Sequence, residues 1–402
     1  MLCGWVMKIT DVQVFVTCPG RNYVLVKIVT DQEGLYGWGD ATLNGRELAV
    51  ASALREHIAP LLIGRDAGRI EDAWQMLFRG TYWRGGPVLM TALAGVDLAL
   101  WDIKGKQAGL PVYALLGGAT RAGALAYRHC DGRDAAEIAD NIRAAQALGY
   151  RVFRAQVDVP SEARFPDATW LDSTTYHQPF EDAPYLRAIP RLFESLRREL
   201  GETPEILHDV HERLTPIQAA RLAHDLEPYR PFFLEDPIRP EHKESLHIVR
   251  QHSTTPLAMG ELFNHRWECL PLITQQLIDF VRVDIAHIGG ISEARKIAAI
   301  AEAYHILMAF HGPPDVAPIT HAANVHVDMA ISNFGVQESC IFPPEVTEVF
   351  QGGAYFANGL LCVSDAPGLG TDVDEAALAR YPYQSGGYLP TLRRADGSVQ
   401  DW

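Results

Sequence analysis

The chain has six cysteines in 402 residues, Cys3, Cys18, Cys130, Cys269, Cys340 and Cys362, and no CxxC pair. That excludes a disulfide scaffold and a thiolate metal knot, and points to reduced thiols in a cytoplasmic protein. No run approaches the roughly 18 consecutive apolar residues of a membrane span. Met1–Val6 (MLCGWV) is apolar but too short for a signal peptide, and it lacks a basic leader. Positive charge is in deficit: 35 Lys and Arg stand against 50 Asp and Glu, a net charge of −15. This argues against nucleic acid or an anionic membrane as a partner. It does not exclude an anionic small molecule, because a bound cation inverts the sign locally. There is no low-complexity tract and no tandem repeat beyond a strand–helix period.

What is present is 48% hydrophobic and 21% charged, the composition of a soluble globular protein long enough for two domains. The three segments ILHDVH, FFLEDP and PLAMGE are its most informative stretch. Each is a short apolar run that stops at a carboxylate, Asp209, Glu235 or Glu261, and the two intervals are both 26 residues. Short apolar runs bounded by polar or turn residues read as buried strands. The segments between them, Thr215–Glu227 and Pro240–His252, have helical periodicity. Right-handed crossovers place the ends of parallel strands at one edge of a sheet. Three carboxylates meeting there repel one another unless a cation lies between them, and hard oxygen donors favour Mg²⁺.

Upstream, Lys8–Val16, Tyr23–Thr30 and Leu35–Trp38 read as an antiparallel meander, followed by helices at Arg46–Ile58, Arg69–Phe78 and Val88–Lys106. The third is apolar on most faces and is expected to be buried. Residues 7–120 are thus expected to form an α+β domain, completed by a turn-rich tail over 352–402. Residues 121–351 alternate strand and helix: strands at Ala124–Tyr127, Arg151–Gln156, the three carboxylate segments, Ile278–Ile285, Ile306–Phe310 and Asn333–Gln337. That pattern predicts an α/β fold with a (β/α)8 barrel or a close variant. The polar stretch 157–182 is longer than a barrel turn needs and reads as a lid or a disordered segment.

Barrel active sites lie at the carboxyl ends of the strands. Polar residues at those positions are His129, Arg154, Gln156, Asp209, His211, Glu235, Glu261, Arg282, Asp284, His287, His311 and Glu338. In a strand, residues i and i+2 share a face, so His211 is expected beside Asp209. His311 reads as base, acid or substrate donor. Asp284 on the neighbouring strand reads either as its orienting carboxylate or as a salt-bridged structural residue. His287 reads as a turn residue, and Asn44, before Gly45, as a loop residue or a ligand contact. With Mg²⁺ holding a substrate carboxylate, loss of the α-proton gives an enediolate, and an acid on the other face can expel a β-hydroxyl.

These residues resemble the enolase superfamily, and within it the mannonate dehydratase-like group. The motifs that carry the resemblance are TCPGRN (Thr17–Asn22), GDATLNGRE (Gly39–Glu47), RIEDAWQ, TYWRGGPV, VDLALWDIKGK, GLPVYALLGG, LEPYRPFFLED, GELFN, QLIDFVR, NFGVQE and the final Asp401–Trp402. The resemblance implies a (β/α)7β TIM-like barrel with a capping domain built from both chain ends. It implies Mg²⁺ on Asp209, Glu235 and Glu261, and an acid-sugar pocket lined by Asn44, His129, Arg282, His311, Asp315 and Glu338, with Trp402 near it. His211 is implied as the acid that helps the 3-hydroxyl leave. The implied reaction is dehydration of D-mannonate or D-gluconate to 2-keto-3-deoxy-D-gluconate by a homo-oligomer.

The chain departs from the group in places. The group's proton-abstracting tyrosine, activated by the arginine that Arg154 matches, falls at Pro166 beside Phe165. Tyr176 is the nearest tyrosine. Pro237-Ile238-Arg239 and SCIFPPE also differ from efficient members, so turnover is expected to be low. Asp284, five residues before Gly289-Gly290, sits where the wider superfamily carries the carboxylate of a His–Asp dyad, which makes His311 with Asp284 a candidate base. Arg154-Ala155-Gln156 replaces a Lys-x-Lys pair and disfavours cycloisomerase or epimerase chemistry. Two alternatives remain: a catalytically poor metal- and acid-binding sensor, and an acid-sugar racemase using His311.

Overall fold

A computed structural model of the chain describes residues 6–157, 177–385, 391–394 and 396–401. By Cα proximity the chain divides into two compact units. One comprises Met1–Leu125, Glu261–Leu270 and Val281–Gly387; the other comprises Ala126–Gly260, Pro271–Phe280 and Tyr388–Trp402.

The first unit opens with the antiparallel meander β1 (Ile9–Thr17), β2 (Tyr23–Thr30) and β3 (Tyr36–Asp40), in register Thr17↔Tyr23 and Leu25↔Asp40. Helices α1 (Ile70–Arg79) and α2 (Pro87–Ala108) follow. Proline opens α2, where its missing N–H costs nothing, and left-handed Gly109 ends it. As the all-round apolar pattern predicts, α2 is buried along most of its length. Its approach to β3 requires glycine. A Cβ at Gly39 would lie 1.8 Å from the Gly95 carbonyl oxygen, and one at Gly37 2.1 Å from that of Ala99. Val24, Val26 and Ile28 of β2 join Trp74, Leu93, Val96 and Leu100 in one core. Each such side chain contributes about 1.5–3 kcal/mol on burial.

The second unit holds parallel strands joined by helices: β4 (Ala124–Gly132), α3 (Ala135–Ala147), β5 (Val152–Val157), α4 (Asp182–Leu200), β6 (Glu205–Asp209), α5 (Pro216–Leu226), β7 (Leu234–Glu235), α6 (Leu246–His252) and β8 (Leu257–Met259). Strand β4 runs five residues beyond the expected Tyr127, because its ladder with β5 continues from Tyr127↔Val152 to Gly132↔Val157. His129 is therefore inside a strand, opposite Arg154, and not in a strand exit. The ladder then passes through Arg154↔Leu207, Asp209↔Glu235 and Glu235↔Ala258. Helix α4 buries Tyr185, Ile189, Leu192, Phe193 and Leu196, one stripe at helical spacing. Thr215 and Gln218 form a capping box at the start of α5.

Back in the first unit lie β9 (Phe280–Val281, whose first residue closes the preceding segment), α7 (Ile291–Glu302), β10 (Leu307–Met308), α8 (Pro318–Ala330) and β11 (Gln337–Ser339). These strands are shorter than their apolar runs. Backbone pairing continues past Val281, with the Ala309 amide donating to the Val281 carbonyl at 2.9 Å and the His311 amide to the Val283 carbonyl at 3.1 Å; the chain then turns, with the His287 and Ile288 amides both donating to the Asp284 carbonyl at 3.0 and 2.8 Å. Glu338 lies within β11 rather than after it. The tail returns to the meander: the Cys18 amide donates to the Tyr381 carbonyl at 2.8 Å, and the Tyr36 hydroxyl donates to Asp372 at 2.9 Å. Among the described residues no helix is long and apolar enough to cross a membrane. The five described cysteines are free thiols.

Candidate active site

Asp209 and Glu235 end β6 and β7, and Glu261 follows β8 by two residues, so adjacent strands deliver all three. One carboxylate oxygen from each lies within 4.8 Å of the others. Asp209 and Glu235 are buried and Glu261 half-buried. Buried carboxylates at this spacing resist shared ionisation, and an all-oxygen set suits a hard divalent cation. The donor set therefore fits Mg²⁺.

The residues around Asp209 belong to the second unit. Arg154 Nη1 donates to Asp209 Oδ2 at 2.9 Å, and its Nη2 donates to His129 Nδ1 at 3.0 Å. His211 Nε2 donates to Asp209 Oδ2 at 2.8 Å. That pairing was expected from strand alternation, but the cause is different. β6 stops at Asp209, and His211 sits in the left-handed region (φ 52°), with its amide donating to Asp209 Oδ1 at 2.9 Å. An L-residue held there is strained, and the Asp209 carboxylate helps fix it. Gln156 donates to the Asp209 carbonyl at 3.1 Å, and its Nε2 stands 3.5 Å from His211 Nδ1. Tyr127 reaches Glu235 Oε2 at 3.5 Å. His208 faces the other way: it takes the Tyr185 hydroxyl at 2.7 Å and donates to the Ala155 carbonyl at 2.8 Å.

A further group of polar residues belongs to the first unit. Arg282, fully buried, donates to Glu338 Oε2 at 2.8 Å and stands 3.6 Å from Glu261 Oε2. His311 Nδ1 donates to fully buried Asp284 at 2.7 Å, and its Nε2 faces Glu261 Oε2 at 3.6 Å. Burial opposes charge on His311, but Glu261, Glu338 and the Asp284 bond outweigh it and raise its pKa to about 9. Burial likewise opposes charge on Asp284, yet His287 and His311 pull its pKa below the ordinary value. The structure thus makes Asp284 the orienting partner of His311. His287 is a turn residue, bonded to Thr91 at 3.0 Å and 3.8 Å from Asp284. Asn44 donates to Asp315 at 3.0 Å, and Arg21 forms an ion pair with the same carboxylate.

Trp402, Pro166, Phe165 and Tyr176 lie outside the described residues, as do residues 158–176 of the 157–182 stretch. Arg21 and Tyr127 were given no role by sequence reasoning, and Gln156 was placed at a strand end without a specific one. Gln156 was visible as the i+2 neighbour of Arg154, and Arg21 as a charge inside TCPGRN. Neither position shows its partner without the fold.

The chain has known counterparts in sequence and in fold. The model of the mandelate racemase/muconate lactonizing enzyme N-terminal domain matches residues 7–117, and that of the enolase C-terminal domain-like family matches residues 137–377. The chain belongs to the enolase superfamily, with a capping domain and a barrel domain, and to its mannonate dehydratase-like group. A D-mannonate dehydratase of Caulobacter sp. (strain K31) is 50% identical over 404 residues, 98% of this chain and 100% of the relative. A D-galactonate dehydratase family member of Streptomyces bingchenggensis is 50% identical, over 98% of both chains. Among solved structures, an enolase of Pantoea ananatis with bound D-gluconate and Mg superposes with TM-score 0.92 at 44% identity, covering 98% of this chain and 100% of that one.

Proposed function

We propose that the chain is a Mg²⁺-dependent acid-sugar dehydratase that converts D-mannonate, D-gluconate or both to 2-keto-3-deoxy-D-gluconate. The observation that carries the reading is that two histidines stand at two different carboxylates of one triad, His211 at Asp209 and His311 at Glu261. Asp209, Glu235 and Glu261 would hold the ion. Mg²⁺, when bound, supplies the positive charge that lets a substrate carboxylate take up further negative charge, and it offsets the Glu261 charge beside His311.

His311 is the base. Asp284 holds the Nδ1 proton at 2.7 Å, and with the Glu261 charge offset by the bound ion the Nε2 lone pair would take the α-proton. His211 is the acid: its Nε2 proton goes to the departing 3-hydroxyl, which leaves as water, and the enol that remains tautomerises to the 2-keto acid. Arg154 fixes Asp209 and His129. Asn44, His129, Arg282, Asp315, Glu338 and Trp402 are assigned to the sugar chain and carboxylate. The reading takes residues 7–120 with 352–402 as the capping domain and 121–351 as the barrel, in a cytoplasmic homo-oligomer. Incubation with Mg²⁺ and a panel of acid sugars, followed by mass spectrometry for 2-keto-3-deoxy acids, tests it. No product from any sugar at high enzyme concentration would refute it.

A further inference from the structure

His311 and Asp315 are carried by the short segment Gly312-Pro313-Pro314-Asp315-Val316-Ala317, and almost every polar group of this segment is already taken. The His311 carbonyl accepts from Asn324 at 3.0 Å, and the Gly312 amide donates to Glu338 at 2.8 Å. Two consecutive prolines have no N–H, so their carbonyls are their only polar handles. The Pro313 carbonyl accepts from His321 Nε2 at 3.0 Å, and the Pro314 carbonyl accepts from the Tyr23 hydroxyl at 3.1 Å. Asp315 is held by Asn44 at 3.0 Å and by Arg21. The Ala317 amide donates to Asp40 Oδ2 at 2.6 Å, and the same oxygen takes the Thr320 hydroxyl at 2.7 Å.

Three of these fasteners, Arg21, Tyr23 and Asp40, come from the β1–β3 meander. Tyr23, in β2, is 1% exposed, yet it aims its hydroxyl at a loop carbonyl. Asp40, at the end of β3, is fully buried and caps α8 from outside the helix, since Ala317 is that helix's N-cap residue. Its Oδ1 is in turn saturated by the Thr42 amide and hydroxyl at 2.9 and 2.6 Å. Arg21 lies in the turn between β1 and β2. A buried carboxylate with four hydrogen bonds stays fixed, and so does whatever it holds.

We propose that Arg21, Tyr23 and Asp40 are positioning residues for the reaction, which fix the 312–317 segment and through it the imidazole of His311 and the carboxylate of Asp315. The proposal rests on the dehydratase reading for its catalytic consequence, but the fastening itself does not. A displacement of about 1 Å of a reacting group can cost about 100-fold in rate, so loosening this segment is expected to lower kcat without removing a substrate contact.

Tyr23→Phe deletes one hydroxyl and keeps the ring. Expected results are a kcat lower by about 10- to 100-fold with KM within about threefold, Mg²⁺ affinity unchanged, and faster amide hydrogen exchange in the peptide spanning His311–Ala317. Arg21→Gln is expected to show the same pattern, with partial recovery in Arg21→Lys. Unchanged exchange in that peptide overturns the proposal. So does a lowered melting temperature with kcat unchanged, which is what a merely structural role gives. If the unaltered protein dehydrates no acid sugar, the functional reading fails and the exchange experiment still decides the fastening.

Discussion

Asp284→Asn is the sharpest perturbation of the proposed base. Asp284 is fully buried and accepts two hydrogen bonds, from the Ala286 amide and from His311 Nδ1, both at 2.7 Å. In the variant the amide oxygen can serve only one of them well. If it keeps Ala286, the NH₂ group faces His311, whose Nδ1 must then accept. The ring proton moves to Nε2, and the lone pair that takes the α-proton is gone. If it keeps His311, the Ala286 amide is left unsatisfied. Either way a charge-assisted bond worth about 1.5–3 kcal/mol is lost, and an unsatisfied or mismatched donor adds about 1–3 kcal/mol. At about 1.4 kcal/mol per tenfold, the expected fall in kcat is roughly 10²- to 10⁴-fold. KM is expected to stay within a few-fold, because Asp284 acts through His311. The assay is steady-state formation of 2-keto-3-deoxy acid, with α-proton exchange in deuterated solvent followed in parallel by NMR. Both are expected to fall together. A variant that retains α-proton exchange within threefold of the original would refute the assignment of the His311–Asp284 pair as the base.

His211→Asn is expected to separate the two steps, with dehydration falling by about 100-fold or more while α-proton exchange persists; loss of both in proportion would remove His211 from the acid role. Chelation with EDTA is expected to abolish turnover. Titrating Mg²⁺ back is expected to raise thermal stability by about 2.7 kcal/mol at 100 times Kd, and Glu235→Gln should lose that response in a thermal-shift titration. Stability should also depend on pH through His326 in α8, which is fully buried, takes the Tyr113 amide at 3.2 Å, and has its pKa lowered by burial to about 4. Since the folded value lies below the unfolded one, near 6.5, this contribution is complete above pH 6.5 and is lost progressively as pH falls to about 4. It is worth on the order of 3 kcal/mol. Urea denaturation of His326→Gln across that range should show a shallower slope; an unchanged slope would count against the buried neutral imidazole.

The metal triad was legible in the sequence because it needs only two local facts: an apolar run that makes a buried strand, and a carboxylate where the run stops. Repeated twice at one spacing, those facts place Asp209, Glu235 and Glu261 at adjacent strand ends before any tertiary contact is known. The α/β class and the buried α2 were legible for the same reason, since periodicity and all-round apolarity are properties of short windows. Strand ends were not. β4 continues to Gly132 because a strand lasts only as long as its ladder partner, and the partner is distant in sequence. His211 came out beside Asp209 for a reason that alternation does not contain, a left-handed residue fixed by the carboxylate it serves. Whether Asp284 pairs with His311 or serves only as a salt-bridged structural residue was left open by the sequence, and the 2.7 Å hydrogen bond between segments 27 residues apart was not visible there. The fastening of 312–317 by Arg21, Tyr23 and Asp40 spans more than 270 residues. The sequence by itself determined the chemistry of the donors and the spacing that brings three carboxylates together. Only the tertiary structure decided the second layer of partners, because hydrogen bonds between distant segments depend on directions and distances that no local pattern encodes.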